Sequence, residues 1–444
     1  MKEKLTNAIL KVAEVLQMNK YLTAIRNGFT TLLPIIICGS FCSLMLSVVC
    51  STTTTGFSLA KFHGLEWLAK LTPIFDAANY ATMNFLAIGL VVLIAMDLGR
   101  HYGHKDPCLP IVALGAYIAL CSTIVTGTTD SGEAYTVSNV LAVNFTNSKG
   151  LFMAIIAGIT SSELYLHLMK SKHLLIKMPD SVPPNVTASF ASLLPGMLTV
   201  LIFATFSFGF ESIFKLSVND AITMCIQVPL SKIITTVPGF IAMFMFSNIL
   251  WSFGIHGPQV LQPIYTATML QALQENTDAV LAGAQATNIF NRSFISVFSA
   301  GTGAGMTGML ALAILLFSKR QDQRAVSKLS IVPGLFNINE PMIFGIPIVM
   351  NPIYCIPFIL APAVSITWGY VMTAIGFAKP MAYAIPATTP IILKSFLATA
   401  GDIPTMITEI TALLLVFLLY VPFVLISNKQ AVEEAKETGK EETV

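Results

Sequence analysis

Long runs of apolar residues, separated by short polar segments, dominate the chain. A helix that crosses a membrane needs about 20 predominantly apolar residues. The runs that approach this length predict spans at residues 29–49, 82–98, 108–126, 151–169, 196–217, 237–255, 294–318, 352–376 and 404–427. A membrane β-barrel would instead show shorter segments of alternating hydrophobicity. The pattern therefore predicts an all-α polytopic membrane protein.

The distribution of Lys and Arg predicts the orientation of the spans, because short loops rich in both residues face the cytoplasm. The loops that carry this charge contain Arg100 and Lys105; Lys170, Lys172 and Lys177; and Lys319, Arg320, Arg324 and Lys328. With the N-terminus inside, alternation leaves the third loop outside unless one more crossing lies between residues 256 and 293. We place it at about 257–273, a polar segment that is allowed only where protein or a water-filled cavity surrounds it. The sequence thus predicts about ten transmembrane helices, with both termini in the cytoplasm.

Two further apolar segments, residues 331–350 and 380–400, are interrupted by prolines and do not fit as spans. They predict two re-entrant, hairpin-like segments, which in transporters build binding sites near the middle of the membrane. Both lie in the second half of the chain. We therefore expect residues 1–185 to form an N-terminal scaffold and dimerisation half. Residues 186–427 would form a substrate-binding transport half, and residues 428–444 a cytoplasmic tail.

The composition supports a membrane protein, since 55% of the residues are hydrophobic and 11% are charged, against about 25% charged residues in soluble proteins. The formal net charge of +2 argues against a nucleic-acid partner, which needs a strongly basic face. The sequence has neither a Walker motif nor a metal-ligand spacing, so we expect no metal and no cofactor. The run Gly301-Thr-Gly-Ala-Gly305 lies within a predicted span, and we expect it to serve close helix packing.

The first candidate for chemistry is His256, in the motif Trp251-Ser-Phe-Gly-Ile-His256-Gly-Pro258 at the end of an apolar run. Pro258 interrupts helical hydrogen bonding, so His256 lies beside a free helix end. A histidine there can hydrogen-bond a hydroxylated ligand or take up a proton near neutral pH. The alternative is a structural histidine whose ring is satisfied by local carbonyls.

The second candidate is Glu340, in the motif Asn337-Ile-Asn339-Glu340-Pro341 within the interrupted segment 331–350. An ionisable residue inside a membrane is a functional candidate because its burial is costly. Glu340 can accept hydrogen bonds from hydroxyls, and Asn339 can both donate and accept, which suits a sugar. The alternative is a glutamate at a loop end on the cytoplasmic surface.

Weaker candidates are Thr388 and Thr389 in the second interrupted segment, and Asn84 and Asn144 as polar wall residues. The two threonine hydroxyls could bind a ligand or could satisfy backbone carbonyls freed by the neighbouring prolines. Lys394 belongs to the same segment, and we expect its long side chain to extend the ammonium group toward water.

Around His256 and Glu340 the sequence resembles the membrane-embedded IIC component of the bacterial sugar phosphotransferase system, in its lactose, cellobiose and chitobiose branch. The matching segments, in the expected order, are Tyr102–Pro107, Lys149–Ile155, Trp251–Gly257, Asn337–Pro341, Thr388–Pro390 and Phe396–Thr399. The resemblance implies a homodimer of ten-helix subunits in the bacterial plasma (inner) membrane, with the dimer formed by the first half and the sugar carried by the second. It also implies that a phosphorylated cytoplasmic IIB protein, with IIA upstream, gives its phosphoryl group to the bound sugar.

The resemblance also assigns roles to individual residues. Glu340 is expected to hydrogen-bond the hydroxyl that becomes phosphorylated, either as a general base or only to position the sugar. His256 is expected to contact the same sugar, and Asn339 and Trp251 to line the pocket. Family members often carry a Trp at the position of Ala387, so the resemblance does not single out one disaccharide.

The sequence therefore predicts a IIC permease of a phosphoenolpyruvate-dependent phosphotransferase system. It would carry a β-linked disaccharide of the cellobiose, chitobiose and lactose class and present it for phosphorylation by IIB. The phosphoryl donor lies on the partner, so whether the chain counts as an enzyme is a matter of definition. The main alternative is an ion-coupled secondary transporter of a polar solute, with Glu340 or His256 as its proton site. This alternative predicts more paired intramembrane carboxylates than the sequence shows. A membrane sensor or scaffold is a third alternative, and it leaves the interrupted segments unexplained.

Overall fold

A computed structural model describes the chain over residues 18–53, 58–104, 107–129, 132–174, 176, 184–346, 348 and 351–438. The described residues form two compact units. The N-terminal unit comprises those within Gln17–Gly39 and Ala77–Lys232, and the C-terminal unit those within Ser40–Asp76 and Ile233–Val444. The expected functional halves, divided near residue 185, stay a prediction.

Helices make up most of the described chain. In chain order the α-helices are α1 Lys20–Met45, α2 Thr72–Met83, α3 Leu86–His101, α4 Cys108–Ala119, α5 Val143–Thr146, α6 Leu151–Met169, α7 Pro184–Phe214, α8 Val218–Ile222, α9 Val228–Ile234, α10 Val237–Ser252, α11 Gly257–Leu281, α12 Arg292–Phe294, α13 Thr307–Phe317, α14 Gln321–Leu335, α15 Glu340–Gly345, α16 Pro352–Ala374, α17 Leu393–Ala398 and α18 Ile403–Thr438. Short π-helical or 3-10 segments extend or join them at Leu46–Cys50, Leu59–Lys61, Glu66–Leu71, Ser148–Gly150, Thr223–Gln227, Ile295–Ser299 and Ala304–Met306.

Within the described residues, seven helical segments are long and apolar enough to cross a membrane. They are Lys20–Cys50, Glu66–His101, Ser148–Met169, Phe190–Phe214, Arg292–Phe317, Ile353–Ala374 and Ile403–Val432. Each overlaps a predicted span, and the polytopic all-α class is confirmed. The bent pair Val218–Ile234 and Val237–Ser252, which meets at 80°, becomes an eighth if it is counted as one span. The predicted total of ten helices stays a prediction.

The predicted span 108–126 ends too late. Helix α4 stops at Ala119, and strand β1, Ile124–Thr128, pairs antiparallel with strand β2, Ala134–Ser138. The β-branched residues of β1 favour an extended strand, which apolarity alone could not distinguish from a helix. This exposed ribbon is the only sheet in the described part of the chain.

The polar crossing expected at 257–273 falls on helix α11, whose side chains are largely buried. Its Asn276 is 1% exposed, and the Nδ2 atom of Asn276 donates to the carbonyls of Asn288 and Met381, both at 2.8 Å. Protein therefore surrounds much of this polar helix, which is one of the two surroundings that the sequence argument allows. Its path across a bilayer stays a prediction.

The apolar core of the C-terminal unit surrounds helix α13. Buried side chains of α13, α15, α16 and α18 form one cluster with Trp251 at the end of α10. Helix α18 packs along both α13 and α16, and α10 packs along α16. The interrupted segments of this unit therefore rest on a packed helical core.

Candidate functional site

A break in the predicted span 294–318 organises the candidate site. Gly303 and Gly305 have φ angles of +92° and +64°, a region that residues with side chains rarely adopt. A Cβ atom on Gly303 would lie 2.3 Å from Cβ of Asn339, and one on Gly305 would lie 2.1 Å from Cδ2 of Phe358. We expected these glycines to pack a continuous helix closely. The close approach is present, but the continuous helix is wrong, because the left-handed glycines break it.

The two asparagines that precede Glu340 bind the backbone of this break. The Oδ1 atom of Asn337 accepts a hydrogen bond from the backbone nitrogen of Gly303 at 2.6 Å. Asn339 is buried, and its Nδ2 atom donates to the carbonyl of Ala304 at 3.3 Å. These contacts hold the first interrupted segment against the glycine break.

Glu340 begins the short helix α15, and its side chain is exposed. The backbone nitrogen of Asn339 donates to its Oε2 atom at 3.1 Å, and Glu340 takes part in none of the ion pairs of the described chain. The turn before α15 is exposed as well, as the side chains of Phe336 and Ile338 show. An exposed and unpaired carboxylate can accept hydrogen bonds from a hydroxyl.

His256 caps the start of helix α11, as its position before Pro258 predicts. Its Nδ1 atom accepts a hydrogen bond from the backbone nitrogen of Gln259 at 3.3 Å. An accepting Nδ1 carries no proton, so the proton of the neutral ring is on Nε2. The ring of Trp251 lies against that of His256, with the ring centroids 4.5 Å apart.

Trp251 connects His256 to the helix that Glu340 begins. Its ring centroid lies 6.4 Å from that of Phe344, in an edge-to-face arrangement, and Phe344 is one turn after Glu340 on α15. Trp251 is 4% exposed, and its Nε1 atom has no hydrogen-bond partner in the described structure. The structure thus places His256, Trp251 and the Glu340 helix in one region of the C-terminal unit.

The loop that carries Thr388 and Thr389 lies beside the first interrupted segment. The backbone nitrogen of Ile391 donates to the carbonyl of Leu335 at 3.0 Å, two residues before Asn337. The backbone nitrogen of Thr389 closes a turn on the carbonyl of Pro386, also at 3.0 Å. Thr388 is exposed. The two interrupted segments therefore meet directly.

Asn84 and Asn144 belong to the N-terminal unit. Asn84 lies between α2 and α3, where its backbone nitrogen donates to the carbonyl of Tyr80 at 3.3 Å. Asn144 is an exposed residue of the four-residue helix α5. Their role as sugar contacts stays a prediction.

The sequence analysis misplaced the charged group of Lys394 and did not identify Glu409 as a buried acid. Lys394 is 0% exposed, and its ammonium group donates to the carbonyl of Gly301 at 2.9 Å, so the expectation that it extends to water is wrong. Glu409 on α18 is 1% exposed. The available signal was a lone base in one apolar segment and a lone acid in another, the predicted span 404–427.

The described residues contain no group of three or more His, Cys, Asp or Glu side chains that could hold a metal ion. The exposed carboxylate, the imidazole and the aromatic ring instead form a set suited to a neutral, hydroxylated ligand.

Comparisons with known proteins place this architecture among sugar transporters. The family model described as phosphotransferase system, EIIC, matches residues 26–362. The oligo-beta-mannoside-specific EIIC component of Bacillus subtilis (strain 168) is 32% identical, over 99% of this chain and 97% of the relative. The cellobiose-specific EIIC component of Geobacillus stearothermophilus is also 32% identical, over 97% of this chain and 95% of the relative.

A solved structure shares the fold. The crystal structure of the transporter ChbC, the IIC component from the N,N'-diacetylchitobiose-specific phosphotransferase system, superposes with a TM-score of 0.90. The two sequences are 31% identical, and the match covers 98% of this chain and 99% of that one.

Proposed function

The chain belongs to the EIIC family of the phosphotransferase system, and we propose that it carries a β-linked disaccharide of the cellobiose, chitobiose and lactose class. It is a membrane permease of that system. The substrate class is supported by the cellobiose- and oligo-beta-mannoside-specific relatives, which match nearly the whole chain. The diacetylchitobiose-specific transporter of the same fold supports it as well.

The environment of Trp251 is the observation that carries the proposal. Its indole nitrogen is buried without a hydrogen-bond partner in the described structure, and such groups normally bind a ligand or an ordered water. A sugar hydroxyl would supply the acceptor. The apolar face of a sugar ring would meanwhile contact aromatic rings in this region. A bound sugar would thus explain both the unpaired indole nitrogen of Trp251 and the aromatic rings around it.

Three further side chains would orient the sugar around Trp251. The carboxylate of Glu340 would accept a hydrogen bond from the hydroxyl that becomes phosphorylated. The Nε2 atom of His256 would donate to a second hydroxyl of the same sugar. Asn339 would line the pocket from the side of the glycine break, and the turn at Thr388 would provide a polar wall.

The reaction that follows is a phosphoryl transfer from a phosphorylated IIB protein to the bound sugar. The bond between phosphorus and the donor atom of IIB breaks, a bond between phosphorus and the sugar oxygen forms, and the hydroxyl proton moves toward Glu340. Such transfers depend mainly on positioning and charge neutralisation, and a positioned base contributes about 10²–10⁴-fold. Glu340 would then release the proton to water, and its carboxylate would repel the charged sugar phosphate, which would be released on the side of IIB.

The remaining features of the transport cycle belong to the same proposal. IIB would act from the cytoplasm after phosphorylation by IIA, and both chain termini would face the cytoplasm. Two copies of the chain would associate through the first half, residues 1–185. The second half, residues 186–427, would carry the sugar. No metal or cofactor enters this scheme.

Uptake into proteoliposomes tests the proposal. Vesicles containing the purified chain are loaded with a IIB protein of the cellobiose class, either phosphorylated or not, and given labelled cellobiose, lactose or diacetylchitobiose outside. We expect sugar phosphate to accumulate inside only with phosphorylated IIB, whether or not a protonophore is present. Uptake that a protonophore abolishes, and that ignores the loss of the phosphoryl donor, would instead establish an ion-coupled transporter.

A further inference from the structure

The buried charges of Lys394 and Glu409 lie outside the set of residues that would contact the sugar. Lys394 belongs to the short helix α17 of the second interrupted segment, and Glu409 belongs to the long helix α18. Their exposed fractions are 0% and 1%. A charged group within a membrane protein is costly to bury and is usually retained for function.

Lys394 connects the second interrupted segment to the glycine break. Its Nζ atom donates to the carbonyl of Gly301 at 2.9 Å. Gly301 begins the same run in which Gly303 binds Asn337. One break therefore receives a lysine from the second interrupted segment and an asparagine from the first.

Glu409 holds the start of the short helix that carries this lysine. Its Oε1 atom accepts from the backbone nitrogen of Ile392 at 3.0 Å, and its Oε2 atom accepts from the backbone nitrogen of Ser395 at 3.3 Å and from the Ser395 hydroxyl at 2.6 Å. Ile392 has a φ of +71°, a strained value for a β-branched residue. The carboxylate thus stabilises a turn that the sequence itself disfavours.

Lys394 and Glu409 do not form an ion pair within 4 Å. Each is satisfied mainly by a different partner, Lys394 by Gly301 and Glu409 by the start of α17. Together they join three elements: the broken helix, the second interrupted segment and α18. The preceding residue of the same segment is fixed as well, because the backbone nitrogen of Ile391 donates to the carbonyl of Leu335.

We infer that Lys394 and Glu409 are positioning residues for the sugar site. They fix the loop containing Thr388 and Thr389 against the glycine break, and thereby set the distance between the two interrupted segments that face the sugar. This inference rests on the proposed function for the identity of the ligand. The contacts of Lys394 and Glu409 with the backbone do not depend on it.

The two sets of contacts separate positioning from simple packing. Lys394 and Glu409 fix the same loop through different partners, so the loss of either contact frees the loop. A pair that positions the loop should therefore show non-additive losses in a double-mutant cycle, with a double variant close to the worse single variant. Side chains that merely fill space should show losses that add.

The experiment compares Lys394→Met, Glu409→Gln and the double variant with the wild type, all purified in detergent. Lys379→Met is the matched control, because Lys379 immediately precedes the same segment, is 67% exposed at its side chain and pairs with Asp402 at 3.3 Å. Binding of cellobiose, lactose and diacetylchitobiose is measured by calorimetry. Amide hydrogen exchange is measured over residues 384–400 and 300–306 without sugar.

We expect each single variant to bind the sugar roughly tenfold or more weakly, because the loop loses a hydrogen bond from a buried charged group, and to exchange faster in both segments. The double variant should stay within about threefold of the worse single variant, and Lys379→Met should match the wild type. Single variants that bind and exchange like the wild type would overturn the inference. Losses that add in the double variant would overturn it too.

Two further outcomes are also decisive. If the single variants do not purify, Ser395→Ala decides, because it removes the 2.6 Å hydrogen bond to Glu409 and keeps both buried charges. Faster exchange over residues 384–400 in Ser395→Ala would support the inference, and unchanged exchange would overturn it. If the wild type binds none of the sugars, the proposed function fails, and hydrogen exchange alone decides the inference. Faster exchange in both segments of the single variants would then support it, and unchanged exchange would overturn it.

Discussion

The Oδ1 atom of Asn337 lies 2.6 Å from the backbone nitrogen of Gly303. This hydrogen bond joins the exposed turn before Glu340 to a break in the middle of an apolar helical segment. Both residues have positive φ angles, +67° and +92°, so each adopts a conformation that asparagine and glycine tolerate better than other residues. The conformation of the glycine break and that of the turn therefore depend on each other, and the position of Glu340 depends on both.

The glycine break predicts a specific sensitivity to side chains. In Gly303→Ala, the added Cβ would meet Asn339 at 2.3 Å, so the turn before Glu340 would have to move. We expect sugar affinity to fall roughly tenfold or more. Separately, the backbone strain of an alanine at φ +92° and ψ 174° should lower the free energy of unfolding by about 1–3 kcal/mol. Calorimetry with cellobiose and a thermal unfolding curve measure the two effects.

Gly376→Ala is the control for that strain. Gly376 has a φ of +79°, but a Cβ there would meet nothing within 4 Å. We expect a modest loss of stability and unchanged sugar affinity. Equal losses of affinity in both glycine variants would mean that the contact with Asn339 has no special role.

The indole nitrogen of Trp251 predicts a hydrogen bond to the ligand. Trp251→Phe keeps an aromatic ring but removes the N–H group, so we expect sugar affinity to fall by about 1 kcal/mol, or roughly fivefold. Trp368→Phe is the matched control, because the Nε1 atom of Trp368 already donates to Thr411 Oγ1 at 2.7 Å. It should bind sugar normally. If Trp251→Phe binds sugar with wild-type affinity, the indole nitrogen of Trp251 does not donate to the ligand.

Replacing Ala387 with tryptophan should increase the affinity for the sugar. Ala387 is an exposed residue of the loop that precedes Thr388, and a tryptophan there would add an aromatic face for a sugar ring. We expect Ala387→Trp to tighten binding by about 1 kcal/mol, measured by calorimetry across the three disaccharides. Ala387→Leu adds apolar volume without a ring. If leucine gives the same gain, or tryptophan gives none, the loop does not face the sugar.

Apolar run length predicted the long helices well and the interrupted backbone poorly. The span expected at 151–169 is helix α6, Leu151–Met169, because a continuous apolar stretch has few alternatives to a helix. The same criterion extended the predicted span 108–126 too far, into strand β1. It also predicted one continuous helix over 294–318, although the helix is broken at Gly301–Gly305. Run length measures apolarity, whereas these boundaries depend on β-branched residues and on left-handed glycines.

The helix end beside His256 could be predicted from the sequence, but the connections of the candidate site could not. His256 lies at a helix end, as Pro258 predicts, whereas nothing in the motif predicted that the ring of Trp251 lies against it. The contacts of Asn337 with Gly303 and of Lys394 with Gly301 join residues far apart in sequence. Such pairs depend on tertiary packing, which a single sequence does not encode locally. The exposure of Glu340 depends on the same packing.

The central claim is that Glu340 directs the sugar hydroxyl that receives the phosphoryl group. The most direct measurement is single-turnover transfer from phosphorylated IIB to labelled cellobiose bound to Glu340→Gln, with cellobiose affinity measured on the same sample. Glu211→Gln, at an exposed acid of helix α7, serves as the control. We predict that Glu340→Gln slows transfer about 100-fold or more, while affinity changes by less than about fivefold. Transfer at the wild-type rate from a sugar-loaded Glu340→Gln protein would contradict the account.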